Sequence, residues 1–513
     1  MSLQITRLRT ERGNASRPID VPAPRLSWSL LNSTAGQESY EIELASADGS
    51  RTTSGRIHDA NSTFVDWPFA PLVSRELAAV RVRAWTAAGD QTPWSDELAV
   101  EMTLLDRDDW SADFVSPSSS ADTTGARRAY LLRAEFPVDI AQVVRARVYG
   151  TAHGVYELEV NGGQVHRDLL SPGWTSYSSR LRVQAFDVLP LLTDGQNAIG
   201  VWLADGWYRG RLGFNGGRWD NYGSDVSVLL QLELTLADAT VLNVPLRDAW
   251  RFDASPITAV GLYEGESHNA TLEREGWSSP DFDDSTWAVP AHAPLSDELA
   301  ALQAPTGPPV AVVEVLDPQS VERRANGRVR LDFGQNIAGR LRLRLAAPRG
   351  SEISLHHAEV LADDELAIRP LRSAPSVDRY VFAGVGTEEW APRFTYHGFR
   401  YAEIDGWNGD LEDLDVVAEV THTDMERVGW FDSSHPLLNK LHDNTVWGMR
   451  GNFVDLPTDC PQRDERLGWT GDIQVFAPAA TFLYDCSGTL GLAAGPRSRA
   501  EPIGSCAELC AVG

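Results

Sequence analysis

The sequence DCPQRDERLGWTGD, residues 459–472, places charged and aromatic side chains between residues that break helices. A solvated loop would scatter such charges, whereas this segment interleaves carboxylates with arginines and a tryptophan: Asp459, Asp464, Glu465, Asp472, Arg463, Arg466 and Trp469. Carboxylates accept hydrogen bonds from hydroxyls, an indole covers the apolar side of a pyranose, and a crowded carboxylic acid keeps its proton near neutral pH. The composition indicates a sugar-binding active site. A salt-bridged loop at a domain junction is the alternative, because charged runs are usually solvated.

The same segment, in the order D-C-P-x-R-D-E-R-x-G-W-x-G-D, resembles the signature of the bacterial α-L-rhamnosidases, glycoside hydrolase family 78. Further blocks similar to that family lie upstream: PGWTSY (172–177), ADGWYRGRLG (204–213), LYEGE (262–266), LDFGQNIAGR (331–340), HHAEVL (356–361) and FTYHGFRY (394–401). The resemblance covers residues 24–485 and implies β-sandwich domains in front of a catalytic (α/α)6 barrel.

Length and charge limit the class of protein. A chain of 513 residues should hold several domains, because single cores rarely grow beyond roughly 250–300 residues. Lys and Arg number 45 against 72 Asp and Glu, and the net charge of −27 would repel nucleic acid and anionic membranes. We therefore expect neither as a partner. Rhamnose-containing glycosides or oligosaccharides are the partners that the resemblance implies, and a homo-oligomer stays open.

Cysteine usage and the N-terminus bear on location. The first 459 residues contain no cysteine, so no disulfide framework can hold the β domains, and a reducing compartment is expected. The first residues lack the apolar core of a signal peptide, and no window approaches the roughly 20 apolar residues of a membrane span. These patterns predict a cytoplasmic protein. Cys506 and Cys510 have no second ligand pair, so we assign them no metal.

Short runs of period two predict a multidomain, mainly β chain. Residues 1–105 are typical of a fibronectin III-like sandwich, and SPSSSADTTGA (116–126) marks a linker. Residues 127–300 predict a jelly-roll that resembles carbohydrate-binding sandwiches. Residues 309–419 predict a further sandwich, concanavalin-like by resemblance.

Some jelly-roll side chains are candidate accessory sugar contacts: Trp174, Asp205, Trp207 and Arg209. Packing is the alternative, since tight Gly-Trp turns also serve packing alone. The resemblance allows calcium in this domain, and no cofactor is required. His356, His357 and His397 lie on or beside predicted strands, where a structural histidine is commoner than a ligand, so we predict no metal there.

The hydrophobic period changes near residue 433. Pro436 suits the first turn of a helix. One apolar face is expected from Leu437, Leu438, Leu441, Thr445 and Met449, and residues 473–485 predict a second helix. Residues 420–486 would then begin the (α/α)6 barrel, which needs several times that length.

Residues 487–513 lose the amphipathic period and gain loop residues. We interpret them as a divergent tail, from a frameshift or a premature end. The expectation is a chain truncated within the catalytic domain, inactive or unstable, with apolar helix faces left exposed.

By resemblance, the reaction is inverting hydrolysis of terminal α-L-rhamnose, which needs one carboxylic acid and one general base. Aligned on E-R-x-G-W, Glu465 is the general acid, favoured over its neighbour Asp464. The charges of Asp464 and of the nearby carboxylates should raise the pKa of Glu465, whereas Arg463 and Arg466 should lower it. Asp459, Arg463, Asp464, Trp469 and Asp472 are predicted substrate contacts. The family's base lies far downstream, so none is carried over to this chain.

Two other functions remain open. The sandwiches could form a non-catalytic rhamnose-binding or carbohydrate-binding protein. They could also buttress a barrel supplied by a partner chain.

Overall fold

A computed structural model describes residues 3–11, 17–33, 35–117, 125–295 and 301–494. Most of the predicted linker 116–126, together with Cys506 and Cys510, lies outside these residues. The chain divides into two compact units. The first is residues 1–111 with 183–186 and 302–307, and the second is the remainder.

The first unit is a small antiparallel sandwich, as the period of two predicts. One sheet has the order Arg51–Thr53, Gln37–Ser46, Leu77–Thr86, Leu98–Glu101, and a second pairs Gln4–Thr10 with Leu26–Leu31. Strand Leu77–Thr86 alternates strictly between inward and outward residues, so Val80, Val82 and Ala84 enter a core that includes Trp28. Burial of this apolar face stabilises the domain.

The second unit begins with two antiparallel sheets. One has the order Gly163–Gln164, Val155–Val160, Gly195–Ala204, Tyr130–Val138, Arg251–Ala254. The other includes, in order, Val143–His153, Ser227–Leu236, Phe114–Ser116 and Ala291–Ala293, with Val241–Asn243 beside Ser227–Leu236. Arg180–Arg182 is a further short strand of this unit, and Gly206–Arg209 is one helical turn. Two other short strands, Gln184–Asp187 and Ala301–Gln303, belong mostly to the first unit.

A ten-stranded sheet follows in the same unit. Its main path is Ile257–Gly261, Gly265–Asn269, Val377–Val381, Glu352–Ala358, His397–Asp405, Val329–Ala346, Val416–Thr423, Val310–Leu316. Strands Ser320–Arg323 and Thr387–Trp390 pair with Val329–Ala346, and Leu361–Ala362 with Glu365–Leu366 forms a separate hairpin. The first two strands of the path come from the segment predicted as jelly-roll, so the sheet crosses that boundary. Hairpin signals identify strands without saying which sheet they join.

Helices come last, which confirms a mainly β chain that continues into a helical segment. They are Pro436–Asn452, Thr470–Leu483 and Ser487–Ala494, and the first two are connected through the short hairpin Phe453–Val454 and Leu456–Pro457. Pro436 occupies the first turn, as predicted. No described helix is long and apolar enough to cross a membrane. Ser487–Ala494 is helical, so the expectation of a loop-like tail from residue 487 is wrong for those residues.

The apolar face predicted for helix Pro436–Asn452 is largely exposed. Leu437 is 73% exposed and Leu441 61%, whereas Met449 is 2% exposed. Only the C-terminal end of the helix therefore enters the local core, which includes Met449, Phe453 and Ile473. The helix is confirmed, and so is the expectation of exposed apolar helix faces.

We expect substitutions at the two ends of this helix to change the free energy of unfolding by different amounts. Leu437→Lys with Leu441→Lys should change the free energy of unfolding by less than about 1 kcal/mol, because surface changes are small. Met449→Ala, the matched control in the buried end, should lower it by about 2–5 kcal/mol. Urea unfolding measures both, and binding of a hydrophobic dye should fall only in the first variant. Equal destabilisation would mean that the exposed end is covered in solution.

Candidate active site

The charged segment forms a loop between two helices. It follows the hairpin that ends at Pro457, and a β-bridge between Thr458 and Gly468 closes its base. Helix Thr470–Leu483 begins within the last residues of the segment and has Asp472 in its first turn, where the helix dipole favours a negative charge. The loop therefore presents Asp459 and Asp472 from its two ends.

Glu465 is fully buried, and its two carboxyl oxygens have different surroundings. Oε1 accepts hydrogen bonds from the Trp469 indole N–H and from the Leu467 backbone N–H at 3.1 Å. Oε2 is buried and has no hydrogen-bond partner among the described residues. Burial is the largest cause that raises the pKa of Glu465, and the negative charge of Asp459 raises it further. One oxygen is thus fixed, and the other is free to carry a proton.

Asp459 lies beside Glu465 but remains exposed. Its Oδ2 accepts from the Cys460 thiol at 2.8 Å and from Arg463 Nη2 at 3.0 Å. Carboxylate oxygens of Asp459 and Glu465 lie within 4.8 Å of each other. Burial and the Asp459 charge raise the pKa of the Cys460 thiol to about 12, so it stays protonated and acts as a donor.

Asp464 points away from Glu465 into the β structure. It is 1% exposed, and its Oδ2 accepts from the Gly216 backbone N–H at 2.9 Å and from Ser373 Oγ at 2.7 Å. Asp459, one of the nearby carboxylates expected to do so, raises the pKa of Glu465.

Arg466 anchors the loop from inside. Its guanidinium is fully buried and lies over the rings of Tyr263 and Tyr396, with centroids at 5.3 and 4.9 Å. Nη1 donates to the carbonyls of Leu262 and Tyr396, the latter at 3.0 Å. Its φ of +48° is in the left-handed region, so the contacts around it must stabilise a backbone that this residue type rarely adopts. Arg466 fixes the backbone next to Glu465.

Two further contacts hold the loop against the β structure. The Tyr263 hydroxyl donates to the Glu465 carbonyl at 2.6 Å and accepts from the Gly213 N–H at 2.8 Å. Gly398 packs directly under Gln462: a Cβ there would lie 2.7 Å from Gln462 Cβ. The loop thus lies against the strand that begins at His397, and only glycine permits that approach.

An open cavity of about 280 Å³ lies beside the loop. Its polar lining comes from Asn452, Thr458, Asp459 and Asp472, and its apolar lining includes Phe453, Ile473 and Phe476. The volume is near the lower end of ligand pockets, about 300 Å³. Carboxylates over an apolar floor suit a small polyhydroxylated ligand.

Comparison with known protein families matches four segments of the chain. Residues 5–106 match the Rha78A-like N-terminal immunoglobulin domain, and residues 141–314 the α-L-rhamnosidase N-terminal domain. Residues 322–422 match the bacterial α-L-rhamnosidase concanavalin-like domain, and residues 426–495 the bacterial α-L-rhamnosidase six-hairpin glycosidase domain. The chain belongs to the bacterial α-L-rhamnosidase family.

Individual members of the family agree with this. An α-L-rhamnosidase of Alteromonas sp. (strain LOR) is 36% identical over 91% of this chain and 52% of its own length. The structure of native α-L-rhamnosidase from Aspergillus terreus is 41% identical, with a TM-score of 0.91, over 95% of this chain and 57% of that one. The structure of the Streptomyces avermitilis α-L-rhamnosidase complexed with L-rhamnose is 28% identical, with a TM-score of 0.89, over 95% of this chain and 64% of that one. The chain spans about half the length of the curated rhamnosidases it matches.

The accessory residues predicted in the rhamnosidase N-terminal domain lie inside it. Trp207 is 1% exposed, and Asp205 is ion-paired with Arg209 at 2.7 Å. The Trp174 indole donates to the Tyr222 hydroxyl at 2.9 Å, and its backbone N–H donates to Asp455 at 2.7 Å. This burial favours packing, and the sugar-contact role stays a prediction, as do calcium binding and a cytoplasmic location.

Sequence reasoning missed the residues that hold the loop: Tyr263, Tyr396, Gly398, Ser373 and Gly216. Tyr263, Tyr396 and Gly398 do lie in the family-like blocks LYEGE and FTYHGFRY. An aromatic residue or a glycine inside a strand pattern is normally assigned to packing, which is why the pattern alone gave no functional signal.

We expect Tyr263→Phe to weaken the support of the loop. The change leaves the buried Glu465 carbonyl without its short hydrogen bond, at a cost of about 1–3 kcal/mol in the free energy of unfolding. The matched control is Tyr401→Phe, at a half-buried tyrosine of strand His397–Asp405. Urea unfolding of both variants tests this, and equal stability of the two would show that the Tyr263 hydroxyl does not hold the loop.

Proposed function

We propose that this site supplies the general acid and part of the sugar-binding surface for inverting hydrolysis of terminal α-L-rhamnose from glycosides. The state of Glu465 carries the proposal. A carboxylic acid with a raised pKa, one fixed oxygen and one free oxygen suits protonation of a glycosidic oxygen. A related enzyme from Streptomyces avermitilis has been crystallised with L-rhamnose, which supports this choice of sugar.

The neighbouring residues take binding roles in this proposal. Asp459 and Asp472 line the cavity and accept hydrogen bonds from sugar hydroxyls, while Arg463 orients Asp459. Trp469 is half-buried, and its indole N–H is already engaged by Glu465, so the ring contributes as a wall of the pocket. Asp464 acts indirectly, because its carboxylate is occupied by Gly216 and Ser373.

The spacing of carboxylates excludes Asp459 as the general base. Inverting enzymes keep their two carboxyl groups roughly 6.5–9.5 Å apart so that a water fits between base and sugar. Oxygens of Asp459 and Glu465 lie within 4.8 Å. Asp459 therefore tunes the acid and binds substrate, and we assign the base to none of the described residues.

The acid half of the reaction can be tested without a base. Azide is an anion and needs no deprotonation, so azide-dependent cleavage of a disaccharide with terminal α-L-rhamnose should yield a rhamnosyl azide detectable by mass spectrometry. Glu465→Gln should lower this rate by about 10²- to 10⁴-fold, because a sugar leaving group needs its proton. With a p-nitrophenyl leaving group, which departs without a proton, the same substitution should lower the rate less. Equal rates in both proteins would remove Glu465 from the mechanism.

The pH profile separates Glu465 from Asp464. A general acid works in its protonated form, so the rate should fall as pH rises through the raised pKa of Glu465. This decrease in rate with rising pH should be absent in Glu465→Gln and present in Asp464→Asn. Loss of this decrease only in Asp464→Asn would reverse the assignment.

A binding function without hydrolysis remains the alternative. Quenching of tryptophan fluorescence by L-rhamnose, with no turnover at any azide concentration, would favour it. Trp469→Phe serves as the control, since it removes the indole nearest to Glu465.

A further inference from the structure

Three buried side chains on neighbouring strands converge inside the ten-stranded sheet domain: His357, Asp378 and His397. Their exposed fractions are 1%, 0% and 0%. One nitrogen or oxygen from each lies within 4.8 Å of the others. Nothing in the proposed reaction uses this cluster, and such a concentration of polar groups away from water is costly unless each is satisfied.

The tautomer of His357 is set by a backbone carbonyl. Nδ1 lies 3.0 Å from the Ser376 carbonyl oxygen, which can only accept, so Nδ1 carries the proton. Nε2 therefore presents a lone pair, and it is buried without a hydrogen-bond partner among the described residues. It lies 3.8 Å from Asp378 Oδ2, beyond hydrogen-bond distance. Two electron-rich atoms thus face each other with no proton shared between them.

His397 completes the arrangement. Its Nε2 lies 3.1 Å from both carboxylate oxygens of Asp378. With metal–ligand bonds of about 2.0–2.2 Å, two ligand atoms of a tetrahedral zinc are separated by roughly 3.4 Å. The distance from Asp378 to His397 Nε2 is 3.1 Å and the distance from Asp378 to His357 Nε2 is 3.8 Å, so the two lie on either side of that value. In the described structure His397 Nε2 and Asp378 are hydrogen-bonded to each other. A cation between the three groups would replace this hydrogen bond and would give His357 Nε2 the partner that it lacks among the described residues.

We propose that His357 Nε2, His397 Nε2 and the Asp378 carboxylate bind a structural divalent metal ion, with zinc the best match to two imidazoles and a carboxylate. The Ser376 carbonyl acts as the outer partner that orients a ligating imidazole. The fourth position falls to a water. The Glu266 backbone N–H donates to Asp378 Oδ1 at 2.8 Å, and its own Oε1 is buried without a hydrogen-bond partner among the described residues.

This inference reverses the prediction that these histidines hold no metal. The ligands come from three strands and are separated by 21 and 19 residues (378 − 357 and 397 − 378), so no local spacing reveals them. The cluster also lies behind the acidic loop: Tyr396, next to His397, accepts from Arg466, and Ser376 Oγ donates to the Gln462 carbonyl at 3.4 Å. The ion would stabilise the strands on which the loop rests.

Metal content tests the proposal independently of activity. The full chain, purified and dialysed against metal-free buffer, should retain one zinc ion per chain by elemental analysis, because ligands buried on folding hold their metal tightly. His357→Ala and His397→Gln should reduce this to near zero. The matched control is His356→Ala, on the same strand and half-buried, which should keep its metal.

A second measurement covers variants that fail to fold. Wild-type chain unfolded with a chelator and refolded with Co(II) should show the visible absorption of a tetrahedral cobalt site, and zinc should abolish it. Zinc should also raise the melting temperature of the refolded chain. Wild-type protein that holds no stoichiometric metal after purification and after refolding with zinc would overturn the proposal. Loss of metal in His356→Ala would overturn this choice of ligands.

Discussion

The acidic loop depends on the buried guanidinium of Arg466. A charge inside a protein is expensive unless it is hydrogen-bonded. Here Nη1 donates to two backbone carbonyls and two tyrosine faces lie against the guanidinium, while Nε and Nη2 have no hydrogen-bond partner among the described residues. One carbonyl belongs to Leu262 and the other to Tyr396, so the shape of the loop depends on contacts with the β structure. The orientation of Glu465 is thus fixed by segments about 70 and 200 residues upstream.

Proton affinity in the site follows from the same arrangement. Hydrogen-bond donors around Glu465 favour its ionised form and lower its pKa. Burial and the negative charge of Asp459 favour its neutral form and raise its pKa. Burial is the larger effect, and the pKa of Glu465 is therefore raised. Exposure separates the two carboxylates: Asp459 reaches solvent and pairs with Arg463, whereas Glu465 does not. Two similar side chains six residues apart in sequence are therefore suited to different tasks.

Much of this could be predicted from local sequence. Alternation of period two identified the strands, Pro436 marked the start of a helix, and the charged segment with its resemblance singled out Glu465. What failed depends on distant neighbours. The direction of Asp464 is set by Gly216 and Ser373, which local sequence does not encode. Likewise, the histidine and aspartate cluster exists only because three strands are adjacent in the sheet.

The close approach of Gln462 to Gly398 has a consequence for recombination between relatives. A helical segment transplanted onto a different β scaffold would need a glycine at that strand position, a tyrosine hydroxyl in the place of Tyr263 and a free carbonyl at residue 396. Crossover points placed at the apparent domain boundaries would break these pairings even though every domain stayed intact. A chimaera should therefore keep together the segments that contact each other across the loop and the β structure.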